Sequence, residues 1–153
     1  MRESVAMEAR RSEQERVLVF TVDGQEYGVA LASIVEIVQH RGATPVPHAD
    51  EGIEGIAPLR GRMMTVFDLR RCLDRPPRPA GGRAQIIVID SSGDLLGLVV
   101  DSVTRVAAVP AGAPEPLPRG LRLGPPGLLG RALRNKDGYV ILLELDAVVK
   151  RLS

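Results

Sequence analysis

The chain contains one unit twice, 69 positions apart, so any fold that accepts it must be built from two like parts. Gly24-Gln25-Glu26-Tyr27-Gly28-Val29-Ala30-Leu31 lies over Gly93-Asp94-Leu95-Leu96-Gly97-Leu98-Val99-Val100. The same register pairs Ser33 with Ser102, Ile34 with Val103, Ile37 with Val106, Pro45 with Pro114, Pro47 with Pro116 and Gly61 with Gly130. Positions that agree are those a shared fold needs. Where the first copy has Arg60, that register gives Leu129 in the second, which makes Arg60 a candidate for a role other than folding.

The grammar of each copy is β. Val17 to Val22 is a β-branched run, Asp23-Gly24 is a hairpin signal because both residues tolerate positive φ, and Glu26 to Ala30 is the returning strand. A short helical turn over Leu31 to Ile34, a strand over Val35 to His40 and an extended Thr44-Pro45-Val46-Pro47 follow. Gly55 to Arg62 carries the next turn, and Met63 to Phe67 reads as a strand. Asp68 is placed to cap a short helix, Leu69 to Leu73, with Glu144 in the same position before a helix over 145–152. The second copy gives strands at 84–89, 95–100 and 103–109, then a hairpin of Leu128 to Leu133 with Tyr139 to Leu143. Between the copies, 74–82 has the proline and glycine content of a solvated linker, and 110–126 is a long irregular excursion.

Several strands, Val17 to Phe20, Ile86 to Ile89 and Leu95 to Val100, are apolar at every position rather than at alternate ones. One face can fill a barrel, and the other then needs a cover of its own. The second copy is the simplest cover. The expected fold is all-β with short helices: two similar barrels packed together, with a groove between them.

Composition removes most other functions. A net charge of +1, two Phe, two Tyr and no Trp leave neither the basic footprint nor the stacking surface of a nucleic-acid binder. One cysteine, Cys72, cannot make an internal disulfide, and with two histidines it gives no zinc spacing; a buried thiol in a reducing compartment is the expectation. His40 and His48 stand near turns without a nucleophile. The Gly-x-x-x-Gly segments lack a following Gly-Lys-Ser/Thr, and Asp50, Glu51, Glu54 and Asp101 do not follow a calcium loop. No signal peptide or membrane helix is read, and the expected location is cytoplasmic. The reading is a non-enzyme with no cofactor and no metal.

What remains is binding surface. Arg60 offers five donors in a rigid fork at a strand end, suited to carboxylates or carbonyls of a partner. A solvated turn arginine and an internal tie between the barrels compete with that role. Ile34, Ile37, Val103 and Val106 fit core or inter-barrel positions, and any of them left at a groove mouth is an apolar docking contact. Glu36 corresponds to Arg105 in the other copy, so the repeat does not demand its charge.

Taken in order, the motifs Val19-Phe20 to Gly28-Val29, Ile34-Val35-Glu36-Ile37, Pro45-Val46-Pro47, Gly55-Ile56-Ala57-Pro58-Leu59-Arg60-Gly61, Thr65 to Arg70 and Gly97 to Val103 resemble the CheW-like family over nearly the whole chain. The resemblance implies two five-stranded, SH3-like barrel subdomains within a single domain over 16–153, after a flexible segment over 1–15. Subdomain 1 is expected at about 16–73, the linker at 74–82, subdomain 2 at about 83–143, and the helix 145–152 across both. It implies a non-catalytic adaptor that couples chemoreceptors (methyl-accepting chemotaxis proteins) to a CheA-type histidine kinase.

In that reading the inter-barrel groove takes the receptor's cytoplasmic hairpin tip. Barrel ends meet the kinase regulatory domain or other CheW-like proteins, and the membrane is reached only through receptors. Carried over by position, Ile34, Glu36, Arg60, Gly97 and Val103 line or shape the groove, with Pro58, Leu59 and Gly61 flanking Arg60 in its motif. Pro58 replaces the family's asparagine, which removes an amide donor and a carboxamide. That departure motivates the alternative of an adaptor or decoy for a non-flagellar pathway that binds receptor or kinase without supporting kinase activation.

Overall fold

Asp23 and Gly24 both take positive φ, 50° and 78°, and their copies Ser92 and Gly93 do the same at 52° and 92°. These two-residue turns close the hairpins β1 (Arg16–Val22) with β2 (Gln25–Ala30) and β6 (Gln85–Ser91) with β7 (Asp94–Val100). The computed structural model describes residues 16–118 and 127–152; the expected flexible segment 1–15 lies outside them. A 3-10 turn at Leu31–Ser33 leads into β3 (Ile34–Gln39). Then come β4 (Ile53–Leu59), β5 (Arg62–Asp68), the helix α1 (Leu69–Cys72), β8 (Ser102–Ala108), β9 (Leu129–Asn135), β10 (Gly138–Leu143) and the helix α2 (Leu145–Leu152). Asp68 caps α1 as expected, accepting the Arg70 N–H at 3.1 Å.

The strands form two five-stranded sheets, in the orders β8-β1-β2-β10-β9 (sheet A) and β3-β6-β7-β5-β4 (sheet B). The expected all-β pair of like barrels is present. The boundaries 16–73 and 83–143 do not follow the sheets, because the first hairpin of each copy joins the last three strands of the other: β6–β7 lie with β3, β4 and β5, and β1–β2 with β8, β9 and β10. Each sheet therefore holds strands of both copies, and sheet A is closed off by β9 and β10 from the end of the chain.

Doubly apolar strands find two covers. In β6, Ile86 and Val88 point into sheet B's own interior with Met64, Val66 and Val99, whereas Ile87 and Ile89 join a cluster shared by both sheets. In β1, Val17 and Val19 pack with Val140 inside sheet A, whereas Leu18, Phe20 and Val22 face the shared cluster. Three apolar layers result, and α2 covers the middle one through Val148 and Leu145. Alternation along a strand is the geometric cause: successive side chains leave on opposite faces.

The structural repeat is longer at its end than the sequence register suggests. β1 and β6 begin 69 positions apart, at Arg16 and Gln85, but β5 and β10 begin 76 apart, at Arg62 and Gly138. The extra residues lie between β8 and β9. Backbone bridges Thr44 to Ile56 and Glu115 to Ala132 are equivalent, so Pro45 and Pro47 answer to Pro116 and Pro118 rather than to Pro114 and Pro116. Arg60 answers to Lys136, not Leu129, and Gly61 to Asp137, not Gly130. The turn expected within Gly55 to Arg62 falls at Arg60-Gly61, and β4 runs through Pro58 to Leu59 before it, because β4 is the outer strand of its sheet and an outer strand tolerates a missing N–H.

Candidate functional site

Arg60 and Gly61 form the two-residue turn between β4 and β5, with φ of 50° and 81°. A side chain at the first of these positions sits in the left-handed region that favours Gly, Asn or Asp, so the turn by itself gives no reason for arginine. Its guanidinium reaches across to β3: Nε and Nη2 donate to Glu36 Oε1 and Oε2, each at 3.0 Å. Because β3 and β4 are the two outer strands of sheet B, this fork bridges the open seam of the barrel. Hydrogen bonds from Arg60 hold the Glu36 carboxyl below the usual carboxylate range. Arg60 stays 79% exposed and Glu36 22% exposed, so the pair lies on the surface with donors to spare.

The corrected repeat changes what is special here. Lys136, the counterpart of Arg60, is also basic but has no hydrogen-bond or ion-pair partner among the described residues. The seam of sheet A is tied otherwise: Glu26 accepts from Arg105, the counterpart of Glu36, and from Asn135 Nδ2 at 2.7 Å. The exception to symmetry is therefore the bidentate pair, not the presence of a cation.

Ile34 opens the crossing strand β3 and Val103 is the second residue of β8, and both are half-buried against the shared inter-sheet cluster. The Val103 N–H donates to Gln85 Oε1 at 2.7 Å, which fixes the start of β8 against β6. Farther along the same strands, Ile37 and Val106 are 39% and 49% exposed. Leu59 is half-buried over the interior of sheet B, Pro58 is exposed beside it, and Gly61 serves the turn, with nothing within 4 Å of where a Cβ would stand.

Gly97 is buried, and a Cβ there would stand 2.7 Å from Ile86 Cγ2 and 2.7 Å from Met64 Sδ, inside the barrel of sheet B. Its copy Gly28 meets Leu142 and Val140 at 3.1 and 3.2 Å inside sheet A. Gly97→Ala should cost about 1–3 kcal/mol by overpacking, read as a lowered urea midpoint. A midpoint equal to that of the parent chain would remove the packing argument.

One polar cluster is missing from the sequence reading. Arg70 is only 8% exposed; its Nε and Nη2 donate to Asp101 Oδ1 and Oδ2 at 3.0 and 2.8 Å, and Nη1 to the carbonyl of Pro76 at 2.8 Å. Asp101 also accepts the Asp23 N–H at 2.7 Å, and Arg75 Nη2 donates to the Asp23 carboxylate at 2.6 Å. Burial, the largest single influence, raises the Asp101 carboxyl, but the Arg70 hydrogen bonds, the Asp23 N–H and the charges of Arg70 and Arg78 together hold it below its ordinary range. This node joins the first hairpin turn of sheet A, α1 and the β7–β8 connection that crosses from sheet B to sheet A. Its signal was available: Asp23, Arg70 and Asp101 answer to Ser92, Asp146 and Ala32, so the node is absent from the symmetry-related place.

Among the described residues no group of three or more His, Cys, Asp or Glu could hold a metal, and no helix is long and apolar enough to cross a membrane. A family model described as CheW-like domain matches residues 16–153. The chain belongs to the CheW-like family. This CheW-like chain is 26% identical over 139 residues to the chemotaxis protein CheW of Bacillus subtilis, with 91% of this chain and 89% of the relative covered. It is 26% identical to Protein FrzA of Myxococcus xanthus, covering 90% and 87% of the two chains. The crystal structure of scaffolding protein TtCheW from Thermoanaerobacter tengcongensis superposes with a TM-score of 0.77 at 26% identity, covering 86% of this chain and 85% of that one. The family is one of chemotaxis scaffolds and adaptors.

Proposed function

We propose that this CheW-like chain is a non-catalytic adaptor that couples chemoreceptors to a CheA-type histidine kinase in cytoplasmic arrays. A receptor hairpin tip lies along the inter-sheet groove, against the apolar rim made by Ile34 and Val103, and the Glu36–Arg60 fork stands at the sheet-B end of that rim. Arginine held at positive φ, 79% exposed and oriented by a carboxylate, carries the reading, because an outlier kept against local backbone preference points to use. The fork leaves donors for helix carbonyls or carboxylates of the receptor, and apolar contacts supply affinity. A barrel end takes the kinase regulatory domain.

Arg60→Ala should weaken capture of a receptor cytoplasmic fragment about tenfold and leave the melting temperature unchanged, because the side chain is surface-exposed. Undiminished capture, or loss of fold, would refute the role. Pro58 favours a second reading. It stands exposed on the β4 wall beside the fork, where it presents a ring and no N–H. An adaptor or decoy for a non-flagellar pathway would then bind receptor or kinase without activating the kinase. Reconstitution decides: phosphorylation by kinase plus receptor rises on adding a coupler, and does not rise on adding a decoy.

A further inference from the structure

Sheet B has a slot along its seam. No backbone ladder joins its outer strands β3 and β4. The Glu36–Arg60 fork spans one end, and at the other the chain after β3 is held to β4 by two backbone bonds between Thr44 and Ile56, 2.8 and 2.9 Å. Between these ties lies a cleft of about 620 Å³, walled by Val38, Ala57, Pro58 and Leu59 and lined below by Met64 and Ile86. Its floor is the interior of the barrel, reached from outside.

The other barrel shows that the fold does not require this opening. There the counterpart of Ala57 is Leu133, which packs with Ala107 on Val17 and Val140. The counterpart of Pro58 is Arg134, whose Nε and Nη2 donate to Glu115 at 3.2 and 3.3 Å, and the counterpart of Leu59 is Asn135, bound to Glu26. A side chain three carbons larger and two polar ties close the seam of sheet A. In sheet B a short alanine and a proline leave it open.

The rim specifies the occupant. Arg41 lines the cleft and has no hydrogen-bond or ion-pair partner among the described residues. Arg60 and Arg62 stand at the nearby turn, 79% and 50% exposed in their side chains. The carboxylates near them are already used: Glu36 by Arg60, and Asp90 lies 3.9 Å from Arg62. Pro58 has no N–H to offer an added strand, so entry by a side chain suits this wall better than extension of the sheet. We propose that the slot docks a short acidic–aliphatic segment of a partner protein, with a leucine, isoleucine or methionine side chain between Ala57 and Met64 and a neighbouring aspartate or glutamate on Arg41. The slot shares Pro58, Leu59 and, at its end, the Glu36–Arg60 fork with the receptor reading, but its interior lies apart from the apolar contacts of that reading: neither Ile34 nor Val103 borders it.

The test uses the full chain with methyl-labelled Met and Ile, titrated with three capped tetrapeptides, Gly-Leu-Glu-Gly, Gly-Leu-Lys-Gly and Gly-Ala-Glu-Gly. The Leu-Glu peptide should move the methyl resonances of Met64 and Ile86 at millimolar concentration. The Leu-Lys peptide should bind about two- to fivefold more weakly, as an exposed charge contact allows, and the Ala-Glu peptide should leave both methyls in place. Ala57→Leu, which copies the closed seam, should abolish the shifts. Arg41→Glu lies on the surface and keeps the fold; it should reverse the preference between the Leu-Glu and Leu-Lys peptides. Unmoved Met64 and Ile86 methyls in the parent chain, or an unreversed preference in Arg41→Glu, would overturn the proposal whether or not Ala57→Leu folds, and without bearing on receptor capture.

Discussion

Asp101→Asn is expected to destabilise the chain by about 3 kcal/mol at neutral pH, the low end for breaking a buried ion pair. Asp101 keeps 23% of its side-chain exposure, so solvent screens part of its field, but Arg70 keeps only 10%. The amide removes the charge and leaves a guanidinium shut away from water, facing Asp23 at 3.7 Å and the carbonyls of Pro76 and Pro77. The loss also reaches the first hairpin, whose turn N–H at Asp23 donates to Asp101. The pH dependence has a definite sign. The folded carboxyl titrates below its ordinary range, so its contribution is complete above the unfolded value of about 3.9 and disappears as pH falls through the folded one. Urea melts should therefore show a wide gap between parent and Asp101→Asn at pH 7 that closes in strong acid. A gap below about 1 kcal/mol at pH 7 would demote the node to an ordinary surface pair. The node thus ties a turn of sheet A to α1 and to the crossing from sheet B to sheet A.

The sequence carried the local structure and lost the exchange of strands. Hairpin turns at Asp23-Gly24, the cap at Asp68 and runs apolar on both faces each encode short-range geometry, and each appears in place. The doubly apolar β6 even requires the shared layer that Ile87 and Ile89 enter. Pairing β3 with β6 rather than within its own copy is a different kind of fact: both copies carry the same period-2 pattern, so swapped and unswapped sheets bury the same residues and the pattern cannot choose. The shift of the repeat from 69 to 76 positions was hidden by proline-rich segments that align equally well one step out of place, and it misassigned the counterpart of Arg60. Of the candidate site, Ile34 and Val103 pack against one inter-sheet cluster, and Glu36 and Arg60 meet, a contact no spacing rule relates. The packing of Gly97 against Ile86 and Met64 is not legible in sequence, because a glycine that packs and a glycine that admits a ligand look alike there.

Gly55→Ala should be the most damaging single-methyl change in the chain, costing about 3 kcal/mol or more. At Gly55 φ is 157°, and a Cβ there would stand 2.2 Å from the Thr44 carbonyl oxygen and 2.6 Å from its carbon. Those atoms are backbone, so no rotamer change relieves the contact. Either β4 or the crossing segment must move, and the two Thr44–Ile56 hydrogen bonds break with it. Two backbone bonds at about 1 kcal/mol each, with residual strain, make up the expected loss. Gly61→Ala in the same motif supplies the control. Its φ of 81° is also unfavourable to alanine, but no atom lies within 4 Å of the new methyl, so only the conformational cost of about 1 kcal/mol applies. Thermal melts of the two variants should thus separate clearly, and hydrogen exchange at the Thr44 amide should accelerate in Gly55→Ala alone. Equal melting temperatures would mean that φ, not the close approach of Thr44, explains the glycine. If Thr44 does come away from β4, the slot between β3 and β4 loses the tie at one of its ends, so Gly55→Ala should also weaken the Leu-Glu peptide while Gly61→Ala leaves it bound.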